Sequence, residues 1–158
     1  MTPAEVAWKL YREGPGRHDA ATELARGIAA DDRAPADEVA RAGTLLFVAG
    51  RYDDASAARV RALEQHASPQ LLAYLDTACM LRTGSGRAAR TALGQHLAAA
   101  PDPLHTDMPW LAATVGAPVL SWQAARRAGF ARRQAAAFFA RAAWHRSPKR
   151  SCRAVCAR

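Results

Sequence analysis

The chain has 158 residues, half of them apolar with alanine the commonest, and a formal net charge of +8. That length suits one domain with a core that needs no metal or disulfide, and the scarcity of Val, Ile, Thr and aromatic runs argues for an all-α fold. Three cysteines without a CxxC pair speak against a disulfide framework or zinc site, no window offers roughly eighteen apolar residues to span a membrane, and the N-terminal stretch contains acidic residues and lacks a secretory apolar run, so the cytoplasm is the expected compartment.

A first helical pair is expected from residue 3, with Val6, Ala7 and Leu10 turned inward and a turn at Gly14-Pro15-Gly16. The second pair reads DEVARAGTLLFVAGRYDDASAARVRALEQHASP from Asp37. In it Gly43 allows two helices to approach closely, Gly50 takes the positive φ that ends a helix, and Tyr52 seals the turn. Asp53 serves as N-cap or first-turn acid, Ala55 and Ala62 line the second helix, and Pro69 ends the unit.

A third pair runs from Gln70 to Pro101. Its first helix carries Leu71, Leu72, Tyr74, Leu75, Ala78, Cys79 and Leu81, a face broad enough to admit two rotations about one residue apart. Asp76, Thr77 and His96 stand where small or apolar residues would be expected. Gly16, Gly50 and Gly84 lie 34 residues apart, and five residues beyond each is an alanine, Ala21, Ala55 and Ala89. Such a period is the mark of stacked helical pairs, each too small to bury its apolar face alone.

Residues 105 to 116 are expected to form a short capping helix, started by Thr106 or Asp107, with Pro109 in its first turn and Trp110, Leu111 and Val115 as its apolar stripe. A break at Gly116-Ala117-Pro118 follows. The charge changes there: all 14 acids lie at or before Asp107 with 12 Lys and Arg, whereas the segment from Leu120 carries 10 Lys and Arg and no acid. The organisation read from this is an array with its cap over 1–118 and a basic Arg/Ala-rich tail over 119–158.

Three readings of the tail stay open. Its arginines and interleaved Trp and Phe suit nucleic acid, through phosphate neutralisation and base stacking. A structural or membrane-facing helix is the second. The third is a disordered or out-of-frame extension, because Ala, Arg, Pro, Trp and Ser without acids are what a GC-rich message yields in a wrong frame. At about 100° per residue Trp144 falls with Arg126 and Phe130 with Arg141, so apolar and cationic residues are not sorted onto separate faces. Cys152 and Cys156 lie in this tail, where flanking arginines would lower a thiol pKa.

No catalytic constellation is apparent. His18, His66, His96, His105 and His145 are scattered without HExxH spacing, and Gly84-Ser85-Gly86 lacks the strand and the lysine-serine pair of a phosphate loop. No enzyme activity, cofactor or metal is expected.

The second unit, with Gly43, Gly50, Tyr52, Ala55, Ala62 and Pro69, resembles a tetratricopeptide repeat (TPR), and the likeness extends over residues 3 to 103. It implies an α-solenoid of three TPR-like hairpins plus a capping helix, whose first helices line a concave partner-binding groove. The matching positions are Trp8, Tyr11, Ala40, Thr44, Phe47, Val48, Leu71, Tyr74, Ala78 and Leu81, part of which are expected to be core. This groove is aromatic and aliphatic, without the lysine and asparagine of members that clamp acidic C-terminal peptides, and would suit an amphipathic helix.

GRHDAATELA, AGTLLFVAGRYDDA and LLAYLDTACMLRTGSG further resemble the small TPR chaperones of bacterial type III secretion, above all those that hold the needle subunit. The resemblance implies a chaperone that covers a filament subunit's apolar helix and prevents premature polymerisation, alongside a small co-chaperone. Arg59, Asp76, Thr77 and the basic tail depart from that pattern. The expected function is therefore a non-catalytic adaptor or chaperone; the alternative is a nucleic-acid-associated helical protein acting through its arginines.

Overall fold

Thr2 opens the first helix with a reciprocal cap. Its hydroxyl accepts from the Glu5 amide at 3.3 Å, its own amide donates to Glu5 Oε2 at 2.8 Å, and Pro3 fills the first turn of α1 (Pro3–Arg12). The computed structural model describes residues 1–146, and these are helical throughout apart from turns, with no strand among them. They divide into two compact units, Met1–Gly84 and Ser85–Arg158.

In the first unit α1 is followed by a short 3-10 turn at Pro15–Arg17 and by α2 (His18–Ala30), α3 (Ala36–Val48), α4 (Tyr52–Glu64) and α5 (Pro69–Arg82). α1 packs on α2 and α3, α2 on α3 and α4, and both α3 and α4 on α5. The core is built largely of alanine. Ala4, Ala7, Ala25 and Ile28 meet Ala42, Leu45, Leu46 and Ala55, while Val39, Ala40, Ala58, Ala62, Ala67 and Leu72 form a second cluster. Small side chains give little burial energy each, so the helices must lie close for the core to be dense.

Gly43 makes that approach feasible. A Cβ placed there would stand 2.8 Å from Leu75 Cδ2 and 2.9 Å from Ala58 Cβ, so α3, α4 and α5 converge on a position that only glycine fits. Gly50 ends α3 at φ +77°, with the Arg51 amide reaching back to the Leu46 carbonyl at 2.8 Å. In the first pair Gly14 has the positive φ and Gly16 lies in the 3-10 turn, which agrees with a first connection about two residues longer than the period implies. His66 ends α4 at φ 58°, a conformation unfavourable for a side chain with a Cβ.

Long-range caps tie these helices together. Glu38, in the first turn of α3, is buried and accepts from the Ala4 amide of α1 at 2.8 Å, and Asp37 accepts from the Ser68 amide before α5 at 2.6 Å. At the other helix end, Arg61 of α4 donates to the Ala29 carbonyl at 2.8 Å and to the Asp31 carbonyl, satisfying the last turn of α2.

The second unit contains α6 (Gly86–Ala99), α7 (Met108–Thr114), α8 (Pro118–Arg127) and α9 (Arg132–Arg146). α7, α8 and α9 pack on one another. Pro109 sits in the first turn of α7 and Asp107 precedes it, although its carboxylate makes no cap bond. The buried residues of this helix are Met108, Pro109, Ala112 and Ala113, with Val115 just beyond; Trp110, expected in the apolar stripe, is about half exposed. Phe138 of α9 is the aromatic centre of the unit, edge-on to Trp110 at 4.7 Å and to Phe130 at 5.2 Å.

The basic segment is thus helical as far as Arg146. Cys152 and Cys156 lie outside the described residues, whereas Cys79 is buried in α5.

Candidate functional site

The ten expected groove residues fall into three groups. Ala40 is fully buried in the core and presents no area to a partner. Trp8, Tyr11, Thr44, Phe47, Leu71, Tyr74 and Ala78 are half-buried. Trp8 donates through its indole nitrogen to the Arg41 carbonyl at 3.3 Å, and Tyr11 stacks on His18 with ring centres 4.0 Å apart, so both are committed to joining α1 to its neighbours. Leu71 packs against the cluster around Val39 and Leu72. Val48 and Leu81 are exposed, at 53% and 38%.

Phe47 lies at the edge of a cleft of about 320 Å3 at the C-terminal ends of α3 and α5 and the start of α4. Tyr52, Asp53, Ser56, Arg59, Cys79, Met80, Arg82 and Thr83 complete its lining. Phe47 and Tyr52 meet edge to face at 5.3 Å, and the Arg82 guanidinium stands 4.5 Å above the Tyr52 ring. A guanidinium over an aromatic face is attracted by the ring quadrupole, a modest contribution between exposed groups such as these. Asp53 is a first-turn acid of α4 on the same rim.

Arg59 and Asp76 form the inner wall. Arg59 Nε donates to Asp76 Oδ1 at 2.5 Å, with the aspartate side chain nearly inaccessible. These are two of the positions at which the repeat pattern is broken, and they break it together: a cation on α4 is matched by an anion on α5. The rotation of α5 that the sequence leaves open is settled the same way, with Leu72, Ala73, Leu75, Asp76, Thr77 and Cys79 turned inward. Burial pushes the Cys79 thiol up from its ordinary value, the neighbouring Arg59 opposing and Asp76 adding to the shift. That thiol is therefore protonated near neutrality and behaves as a small apolar side chain.

The basic segment uses several of its cations internally. Arg127 donates to the Leu97 carbonyl at 2.5 Å and the Ala100 carbonyl at 2.6 Å and pairs with Asp102 at 2.7 Å, closing the C-terminal end of α6. Arg126 donates to the Phe130 carbonyl at 2.6 Å, and Arg141 lies 4.9 Å above the Trp110 ring. Arg132, Arg133 and Arg146 are exposed. The sequence signal for these internal roles would have been the scarcity of acids around α6 and α8, where Asp102 and Asp107 stand against several arginines, so that carbonyls and rings take most of the donors.

Among the described residues no group of three or more His, Cys, Asp and Glu is placed to hold a metal, and no helix is long and apolar enough to cross a membrane. Comparison with protein-family models, with curated proteins and with solved structures returned no significant match.

Proposed function

We propose that this chain is a non-catalytic adaptor or chaperone of the tetratricopeptide kind, which holds an amphipathic helix of a partner protein on its first unit. The helices α1 to α5 support this reading by packing each on the next and on the next but one, with a glycine-dependent crossing at Gly43 and a glycine-ended turn at Gly50. A stack of hairpins has that neighbour order. The observation that carries the functional part is the cleft of Phe47, Tyr52, Met80 and Arg82, beside the exposed Val48 and Leu81.

Such a surface has apolar recesses for the anchors of a helix and one fixed cation on its rim. The narrower proposal, a type III secretion chaperone for a filament subunit with a small co-chaperone, rests on the apolar members of this surface, Phe47, Val48, Met80 and Leu81, which share it with Asp53, Arg59 and Arg82. In that setting the cleft and its surroundings would hide a polymerising helix, each buried large side chain contributing about 1.5–3 kcal/mol.

The test is capture by the full-length chain of a helical partner or subunit peptide, compared with Phe47→Asp and Val48→Asp. Both substitutions are expected to weaken binding at least roughly tenfold at unchanged helical content, since each removes an anchor contact worth more than about 1.4 kcal/mol. The interaction should change little between low and moderate salt, unlike phosphate binding. Retained capture by both variants, or a steep salt dependence, would reject the proposal.

A further inference from the structure

The outer side of the second unit carries an apolar recess between two arginines. Val119 and Trp122 of α8 and Ala136 and Phe139 of α9 line a cleft of about 430 Å3, with Val119 62% and Phe139 42% exposed. On α9, Arg132, Ala136, Phe139, Ala143 and Arg146 follow one another at alternating steps of four and three, so they share one helical face, and all five are exposed. The stripe therefore reads cation, apolar centre, cation over roughly 21 Å, about four helical turns.

Among the described residues no acid is paired with Arg132 or Arg146. The acids of the second unit are Asp102 and Asp107; Asp102 pairs with Arg127 at 2.7 Å, and Asp107 lies beside His105, whose Nδ1 accepts from the Asp107 amide at 3.3 Å. We propose that the α8–α9 face is a second docking surface, which takes an acidic amphipathic helix of a partner protein with apolar anchors in its middle and carboxylates at its ends.

Charge and shape together select this occupant. The residues after Arg146 carry Lys149, Arg150, Arg153 and Arg158 and no Asp or Glu, so their side-chain charge has the same sign as the two ends of the stripe. A second copy presenting the same face would set arginine against arginine. Nucleic acid is served by successive open rings with donors beside the phosphates, whereas this recess offers one exposed ring, Phe139, with Trp122 half-buried beside aliphatic side chains. A membrane surface is served by side chains that protrude into it; a cleft between two helices instead receives side chains from a partner. The inference concerns the second unit alone and holds whether or not the first unit binds a helix.

The experiment uses the full-length chain and a fluorescent synthetic helix with leucines at i, i+3, i+4 and i+7 and glutamates at both ends. A matched peptide ending in lysines, a single-stranded oligonucleotide and phosphatidylserine vesicles are compared with it. The glutamate peptide should bind best, and Phe139→Asp should weaken it roughly tenfold to a hundredfold, while Phe47→Asp in the first unit leaves it unchanged. The double variant Arg132→Glu, Arg146→Glu should lose the glutamate peptide and gain the lysine peptide, a reversal that misfolding cannot produce. Equal binding of the two peptides, no binding of either, preference for the oligonucleotide or vesicles, or loss through Phe47→Asp with Phe139→Asp silent would each overturn it.

Discussion

The first unit is rich in acids and spends them on helix beginnings; the second has two acids and spends arginines on helix ends. In Met1–Gly84, Glu5, Glu38 and Asp37 accept from backbone amides at or beside the starts of α1 and α5, two of them across more than thirty residues of chain. No first-turn acid occurs in α6, α7, α8 or α9. There, capping falls to Ser85, Gln134 and the prolines at the starts of α7 and α8, while Arg127 gathers three oxygens at the end of α6. Acceptors satisfy the free amides at helix starts and donors the free carbonyls at helix ends; the first unit uses both, with Arg61 closing α2, whereas the second has no first-turn acid to use. A large net positive charge is therefore not by itself a polyanion-binding signature. Arg127 shows how much of it can be structural.

The strongest way to break the comparison is through glycine. Gly43→Leu is expected to abolish cooperative folding of the first unit, because even a Cβ already lies under 3 Å from Ala58 and Leu75. Gly94→Ala, in α6, where no described atom comes within 4 Å of the added carbon, should instead raise stability by about 1 kcal/mol. Thermal and urea unfolding followed by circular dichroism would read both, and equal effects would remove the claim that close helix approach is particular to the first unit.

Arginine sharpens it next. Arg61→Met and Arg127→Met remove the same kind of carbonyl clamp, one from each unit, and each should cost about 2 kcal/mol. Arg132→Met, at an exposed and unpaired position, should stay within about 0.5 kcal/mol. Denaturant midpoints decide the matter. A silent Arg127→Met would return that residue to the class of ligand-binding cations.

A smaller effect than the loss of either clamp is expected at the end of α4. Gly50 ends α3 without strain, while His66 does the same for α4 at φ 58° with a side chain attached. Replacing it, His66→Gly, should stabilise the chain by about 0.5–1 kcal/mol, the relief of the left-handed conformation less the added freedom of the unfolded chain. No gain in unfolding temperature would mean that the imidazole makes compensating interactions.

Much of the fold was legible beforehand because helix boundaries are written locally. Gly50 and Gly84 stand at positive φ, Pro69 and Pro109 sit in first turns, and α8 starts at Pro118 next to the break marked by Gly116. Local patterning also identified Gly43 as a crossing, since a small residue among apolar neighbours on one helical face has few other uses. The candidate site was legible only in outline. Val48 and Leu81 are exposed and Phe47 is half-buried at the edge of the cleft, but Ala40 is core and Trp8 and Tyr11 are engaged within α1 and its surroundings. Tyr52, Met80 and Arg82, which complete the cleft, were not among the expected contacts because two of them approach it from helix ends, where one-face periodicity says nothing.

What the amino-acid sequence determined by itself is the all-helical character, the turns, and the accumulation of cations without acids beyond Asp107, because propensity, glycine and proline geometry and charge act over a few neighbouring residues. Tertiary structure alone decided which way α5 turns, that Arg59 answers Asp76, that Glu38 caps another helix, and that Arg127 faces inward while Arg132 faces out. Each of those depends on which distant backbone group or side chain packing brings within about 3 Å, a distance that hydrogen bonds require and that no local pattern encodes.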